Sequence, residues 1–226
     1  MTRIFIPSSG PGDWRCLLAD PEKHWKTKKS ARTLAHCWEA QDGFPPEIEK
    51  LLKQEARFAD IEPLFIFPEW KVALPPPRSR PSQNDAWVLA KESGDLISIA
   101  IEGKVDEPFD KTVDEWRVDA SPGKTERLAY LVDVLGLTTP NLDSIRYQLL
   151  HRTASAVIEA ERLGAKAAAM IVHSFSPENR WFDDYAAFAK LYGLTAEVGK
   201  LVATTAKGGI PLYLGWAHGD ERYLES

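Results

Sequence analysis

Two acidic residues and a lysine near the middle of this chain have the types and spacing to bind a metal ion and hydrolyse a phosphate ester. Asp85 is followed by Glu102 and Lys104 within residues 82–109. Carboxylate oxygens are hard ligands that suit Mg²⁺ or Mn²⁺, with water and substrate phosphate completing the coordination shell. Two carboxylates about 5 Å apart in a partly buried site repel each other, and a divalent cation removes that repulsion. The sequence therefore predicts Asp85 and Glu102 as metal ligands.

A predicted β-hairpin brings these residues together. Residues 85–91 and 96–105 alternate or stay apolar as half-buried strands do, and a glycine-containing turn lies between them. A two-residue turn puts Asp85 directly opposite Glu102, with Lys104 on the same face because strand side chains alternate. The other face is continuously apolar, so a slip of one residue would spoil both faces.

An acidic residue followed by Glu-x-Lys on the next strand, here Asp85 and Glu102-Gly103-Lys104, resembles the signature of the PD-(D/E)XK nuclease superfamily. The chain departs from it at Asn84, where the family name has proline. The resemblance covers roughly residues 60–175. It implies a restriction-endonuclease-like fold, DNA as the substrate and a metal ion held by Asp85 and Glu102. It also implies that Lys104 positions or polarises the attacking water.

The resemblance implies further site residues. The helix after the Glu-x-Lys strand often offers a glutamine, lysine or arginine, and Gln148 (as a catalytic side chain) or Arg152 (as a substrate contact) matches in type and order. An ordinary solvated helix face is the alternative for both. A glutamate from an early helix often lies near the metal, which indicates Glu39 or Glu55, with solvent exposure as the alternative. Residues 146–152 and 172–175 also resemble bacterial proteins of similar length, which adds no activity.

Other residues are candidates for contacting phosphate. Arg78 and Arg80 lie in the proline-rich loop that leads into the hairpin. His173, near the end of a predicted strand, could reach phosphate or act as an acid, and the alternative is a structural histidine. Gly123-Lys124-Thr125 is not a phosphate-binding P-loop, because Val118 occupies the position of the first glycine.

Composition indicates a soluble globular protein and limits how it could contact nucleic acid. Its 226 residues are 44% hydrophobic and 27% charged, so we expect one domain, with a helical part at 1–60, a nuclease-like core at 61–175 and a C-terminal helix and hairpin at 176–226. A net charge of −5 argues against a broad basic surface. No membrane helix or signal peptide is predicted, so we expect a cytoplasmic protein. Cys16 and Cys37 should stay reduced, without a zinc site.

The order of the predicted elements indicates the fold class. Two early helices and a bent first strand precede the hairpin, and then come a long loop at 106–125, helices at 126–135 and 143–163, a buried strand at 167–175, a helix at 182–191 and a closing hairpin. The short turn between the long helix and the buried strand suits a right-handed crossover. We therefore expect an α/β protein with a central mixed β-sheet flanked by helices, restriction-endonuclease-like.

Three functions are compatible with these patterns. The first is a Mg²⁺- or Mn²⁺-dependent, endonuclease-like hydrolase acting on DNA. The second is a non-catalytic regulatory protein that binds nucleic acid or protein and retains the nuclease fold, which the acidic net charge favours. The third is a structural hairpin whose charges form a surface ladder of ion pairs. The sequence leaves open the choice between DNA and RNA and the oligomeric state, for which a homodimer is one option.

Overall fold

The strands form the frame on which the predicted site lies. The computed structural model describes residues 4–5, 8–119, 121–138 and 141–226. Its strands are β1 (Glu62–Pro68), β2 (Lys71–Val72), β3 (Ser82–Gln83), β4 (Ala86–Glu92), β5 (Asp95–Lys104), β6 (Ala167–Ser174), β7 (Leu201–Thr205) and β8 (Pro211–His218). Six of them form one sheet in the order β1-β4-β5-β6-β8-β7, and β2 pairs with β3 separately. The large sheet is mixed, because β5, β6 and β8 are parallel while β4 and β7 run antiparallel to their neighbours.

Helices cover both faces of this sheet. They are α1 (Pro21–His24), α2 (Ser30–Glu39), α3 (Pro46–Leu52), α4 (Val113–Arg117), α5 (Pro122–Leu135), α6 (Tyr147–Leu163) and α7 (Phe182–Lys190). Buried residues of α5, α6 and α7 form one core against one face, and buried residues of α2 and α3 form a second core against the other. The expected α/β fold with a central mixed sheet flanked by helices is confirmed. No helix in the described ranges is both long and apolar enough to cross a membrane.

The central hairpin has the predicted register. Trp87 pairs with Ala100 and Glu92 with Asp95 across β4 and β5. The turn is the expected two residues, Ser93 and Gly94, and both have positive φ angles, as a type I′ hairpin turn requires. The apolar face of the hairpin packs in the core formed by α2 and α3. The hydrophobic pattern of the two strands was therefore sufficient to predict how they pair.

The long helix starts later than its sequence suggests. Residues 143–163 were expected to be helical, but α6 begins at Tyr147. The backbone N–H of Val113 donates to the carbonyl of Ile145 at 2.8 Å, and that of Tyr147 donates to Lys111 at 3.0 Å. The segment before Tyr147 is therefore held by the chain around α4, which forms within the predicted loop at 106–125.

Other boundaries also differ. The first strand ends at Pro68, and Lys71–Val72 pairs with β3 instead of continuing it. The second early helix ends at Leu52, and residues 56–58 form a separate 3₁₀ turn. The closing hairpin is confirmed, but it extends the central sheet because β8 pairs with β6.

Candidate functional site

Three carboxylates form a row across the ends of β1, β4 and β5. Pro68 pairs with Ala86 at the end of β1, so one step further in the same register Glu69 lies opposite Asp85. The backbone N–H of Glu69 donates to the carbonyl of Asp85 at 3.0 Å. The hairpin register places Asp85 opposite Glu102 in turn. Directly opposed strand side chains such as Asp85 and Glu102 point to the same face with Cβ atoms about 5 Å apart. Glu69 lies close enough for the charges of Asp85 and Glu102 to raise its pKa, and we call Glu69, Asp85 and Glu102 the acidic row.

Local backbone contacts hold the row in place. Glu69 has a φ of 52°, which turns the chain out of the sheet after β1. Asn84 donates to the carbonyl of Trp70 through its backbone N–H at 2.8 Å and its side-chain Nδ2 at 3.2 Å. Oδ2 of Asp85 accepts a hydrogen bond from the backbone N–H of Gly103 at 2.7 Å. The segments on either side of the row are therefore tied to each other as well as to the sheet.

Glu102 is the centre of a buried hydrogen-bond network and is only 2% exposed. Its Oε1 accepts from Nζ of Lys104 at 2.6 Å and from Nε2 of Gln148 at 2.7 Å, and its Oε2 accepts from Nε of Arg152 at 2.5 Å. Gln148 and Arg152 are four residues apart on α6, so they face β5 together. Lys104 also donates to Oε1 of Gln148 at 3.2 Å, and its ammonium lies 4.6 Å from the centre of the Phe109 ring. Gln148 and Arg152 are therefore turned toward the hairpin and not into solvent.

Charge is unequally compensated along the acidic row. Burial, and then the neighbouring Asp85, raise the pKa of Glu69 to about 8. Burial, and then Glu102, raise the pKa of Asp85 to about 7. Burial would also raise the pKa of Glu102, but Arg152 and Lys104 outweigh it and hold that pKa below its usual value. Three carboxylates thus share two cations, so Glu69 and Asp85 hold protons more tightly than ordinary carboxyls do when no further cation is bound.

The donor set fits a hard divalent cation. Among the described residues, Oδ1 of Asp85 and Oε1 of Glu69 accept no hydrogen bond, whereas the second oxygen of each accepts one. Such oxygens from neighbouring acids are ligands that Mg²⁺ and Mn²⁺ prefer. Arg152 competes with a cation, because its Nη2 lies 3.9 Å from Oδ1 of Asp85 while its Nε binds Glu102. The guanidinium already lies between the two carboxylates that the sequence predicted as ligands.

A group of basic residues adjoins the acidic row beside β3, and we call it the basic cluster: His151, Arg152, Arg127 and Arg80. Oγ of Ser82 is 2.8 Å from Nδ1 of His151 and 3.5 Å from Nη1 of Arg152. Burial, followed by the charges of Arg152, Arg127 and Arg80, lowers the pKa of His151 well below 6.5. The imidazole is therefore neutral at pH 7 and is surrounded by cations that could attract phosphate.

The two loop arginines predicted as phosphate contacts differ in position. Arg80 is exposed and near His151, and its carbonyl accepts a hydrogen bond from Arg127 at 2.8 Å. Arg78 is also exposed, and it makes no hydrogen bond or ion pair with the acidic row in the described part of the chain. Arg80 therefore lies with the basic cluster.

His173 does not join the acidic row. The parallel register of β5 and β6 places Glu102 beside Val172, so His173, the next residue, points to the opposite face of the sheet. There its Nε2 is 2.7 Å from Oε1 of Glu47, and its Nδ1 accepts from Nε1 of Trp38 at 3.2 Å. His173 therefore lies on the opposite face of the sheet from Asp85, in hydrogen-bonded contacts of the kind expected of a structural histidine, and its contact with phosphate stays a prediction.

A second group of potential metal ligands lies around His173. One atom each of Cys37, Glu47 and His173 lies within 4.8 Å of the others. The indole N–H of Trp38 can only donate, so Nδ1 of His173 accepts and Nε2 carries the proton toward Glu47. Burial raises the pKa of Cys37 far above its usual value, which keeps the thiol protonated. We interpret this group as a hydrogen-bonded structural cluster.

The early-helix glutamates also lie elsewhere. Oε1 of Glu39 accepts from Ser8 at 2.6 Å and Trp14 at 2.7 Å, and Glu55 caps a 3₁₀ turn. The third acid of the row is Glu69, which sequence reasoning missed because it was sought on a helix. The available signal was its position just after an apolar strand, since a strand paired with the hairpin would end beside Asp85.

Comparisons with known proteins give a family without an activity. The model of a family described as Domain of unknown function (DUF6946) matches residues 7–221. No curated protein matches the chain, and no solved structure matches it. The geometry of the site therefore carries the functional argument alone.

Proposed function

The chain belongs to the DUF6946 family, whose description states no activity, and from its site we propose a metal-dependent phosphodiester hydrolase that acts on DNA with a restriction-endonuclease-like fold. The observation that carries the proposal is the acidic row on one face of the sheet, with Lys104 and Gln148 both bonded to Glu102. The order of elements, a hairpin followed by three helices and then a parallel strand, supports it further.

Glu69, Asp85 and Glu102 would hold the cation. A bound divalent cation lowers the pKa of a coordinated water and neutralises charge on the phosphate. Lys104 has three N–H groups, of which one bonds Glu102 and one bonds Gln148. The third is left to orient a water or a phosphate oxygen. Gln148 fixes the ammonium and the carboxylate relative to each other because it bonds both.

Arg152 exchanges its partners in this proposal. It binds Glu102 and lies near Asp85, so it compensates part of the negative charge before a cation arrives. Once those carboxylates bind a cation, the guanidinium is free to bind a phosphate oxygen in the fork geometry that arginine favours. The nearby Arg80 and Arg127 add positive charge on the same side.

A second function is favoured by the same arginine. Because Arg152 already supplies a cation between Asp85 and Glu102, the site could be balanced without metal. The protein would then be a non-catalytic nucleic-acid- or protein-binding regulator that retains the nuclease fold. This alternative predicts no hydrolysis and no stabilisation by Mn²⁺.

Cleavage assays test the hydrolase. Plasmid and single-stranded DNA are incubated with Mg²⁺ or Mn²⁺, with EDTA as the blank, for wild type, Asp85→Asn and Lys104→Met. We expect metal-dependent cleavage by wild type and a loss of roughly 100-fold or more in either variant, the scale typical of lost acid–base groups. Lys91→Met is the matched control, because Lys91 is an exposed lysine of the same hairpin that pairs with Glu62 at 3.7 Å. Equal activity in Lys104→Met and Lys91→Met would contradict the assignment.

A further inference from the structure

Aromatic side chains lie on the same face and the same strands as the acidic row. Phe67 pairs directly with Trp87 across β1 and β4. Phe67 is two residues before Glu69, and Trp87 is two residues after Asp85. Because strand side chains alternate with period two, the aromatic pair is the next row along this face. Aromatic and acidic rows are therefore direct neighbours on the sheet.

These aromatic rings form a continuous, partly exposed surface. The ring centre of Phe5 is 5.3 Å from that of Phe65 and 5.1 Å from that of Phe67, and Phe67 is 4.8 Å from Trp70. Phe5 is 59% and Phe65 42% exposed, while Trp87 is buried beneath them. We call Phe5, Phe65, Phe67 and Trp70 the aromatic surface.

The exposure is unusual within this chain. Only four large apolar side chains in the described ranges are exposed, namely Phe5, Phe65, Val118 and Val198. The two aromatic ones contact each other beside the acidic row. On this face α6 covers the hairpin at β5, whereas β1 is the outermost of the six strands, with residues 4 and 5 paired along its outer side at Ile66. Exposed apolar rings at such a position are typical of a binding surface.

We propose that the aromatic surface stacks the unpaired bases of single-stranded nucleic acid. The proposal rests on the proposed hydrolase, because bases stacked there would place the adjoining phosphodiester at the acidic row. Every base has a π-face, so stacking on aromatic rings binds single strands without regard to sequence. In a duplex those faces are already stacked on one another, and binding depends on phosphate contacts with a basic surface. The net charge of −5 argues against a broad basic surface, and the basic side chains beside the acidic row, Arg80 and Arg127, are a local group. The geometry therefore favours single strands over duplexes.

Binding and cleavage are measured separately. A fluorescein-labelled oligothymidylate of roughly 12 nucleotides, within the usual site size for such surfaces, is titrated with protein by fluorescence anisotropy in Ca²⁺. A denaturing gel checks that the probe stays intact. An oligouridylate of the same length and a duplex of the same length are titrated for comparison. The oligothymidylate and the oligouridylate together distinguish DNA from RNA.

Phe65→Ala and the double variant Phe5→Ala/Phe65→Ala are compared with wild type. We expect each lost stacking ring to weaken single-strand binding roughly 5- to 150-fold, with duplex binding weaker than single-strand binding in wild type and unchanged in the variants. Val198→Ala is the control, because it removes another exposed apolar side chain, 40% exposed, and should leave binding unchanged. Because both phenylalanines are exposed, we expect the variants to fold as wild type does, and thermal melting of each variant checks this.

The outcomes separate this inference from the proposed function. Single-strand binding that depends on Phe65, with no cleavage of any nucleic acid, supports the aromatic surface and counts against the hydrolase. Cleavage of duplex and single strands alike, unaffected by Phe65→Ala, supports the hydrolase and overturns the aromatic surface. No binding of either oligonucleotide, or a dimer in sedimentation velocity that Phe65→Ala dissociates without altering oligonucleotide binding, also overturns it.

Discussion

Replacing Arg152 with glutamine tests whether the acidic row is a cation site. Arg152 is 8% exposed, donates to Glu102 and lies 3.9 Å from Asp85. Its removal leaves one cation, Lys104, for three carboxylates. If the row binds divalent metal, the variant should be unstable without metal and should be rescued by Mn²⁺ more strongly than wild type, because no guanidinium then has to be displaced.

The magnitude follows from the contacts that remain. Removing one partner of a buried ion pair typically costs about 3–5 kcal/mol. The lower end applies here, because Glu102 keeps its bonds to Lys104 and Gln148, and Asp85, with a pKa of about 7, can take up a proton. About 3 kcal/mol corresponds to a fall in Tm of roughly 6–12 °C for a chain of this size. Mn²⁺ at about 100 times its Kd returns about 2.7 kcal/mol, which is nearly the whole loss.

The assay is thermal melting of both proteins in EDTA and across a Mn²⁺ titration. Arg162→Gln is the matched control on the same helix, because Arg162 pairs with Glu159 but is itself 55% exposed. An exposed pair contributes less than about 1 kcal/mol, so this variant should resemble wild type with and without Mn²⁺. If Arg152→Gln is destabilised and Mn²⁺ does not restore it, the acidic row is not a metal site. If it is as stable as wild type in EDTA, the buried network around Glu102 does not stabilise the fold.

Three further results are expected. Glu102→Gln should lose about 3–5 kcal/mol of stability in urea unfolding, because Lys104 and Arg152 lose their shared anion, and should show no Mn²⁺ stabilisation; a stable variant that still responds to Mn²⁺ would refute this. Glu69, with a pKa of about 8, binds a proton in the folded state at pH values where the unfolded carboxyl has lost it, so its contribution is full below about pH 4 and is lost as pH rises toward 8. Glu69→Gln should therefore match wild type in urea unfolding at pH 5 and exceed it at pH 8.5 without metal, and parallel curves would contradict the raised pKa. Lys104→Met should keep the Mn²⁺ shift in Tm while losing hydrolysis, and loss of both would mean that the lysine only supports the fold.

Periodicity within the sequence determined the central part of the site. Alternation along the hairpin, together with a two-residue turn, was enough to place Asp85 opposite Glu102 with Lys104 on the same face. The spacing of four residues between Gln148 and Arg152 was enough to put them on one side of a helix. These features are local, because side-chain direction within a strand or helix follows from its own repeat. The mixed α/β architecture was predictable for the same reason, from the order of elements whose patterns are individually clear.

Pairing between distant segments decided the rest. Glu69 lies in the acidic row only because β1 pairs with β4 in one register. His173 lies outside it because Glu102 pairs with Val172, so that the next residue of β6 points to the opposite face. Arg152 lies between two carboxylates because α6 begins at Tyr147 and packs across β5. In each case the position depends on burying both faces of the whole sheet at once. The sequence of a single strand or helix does not determine which residue of a distant element will lie beside it.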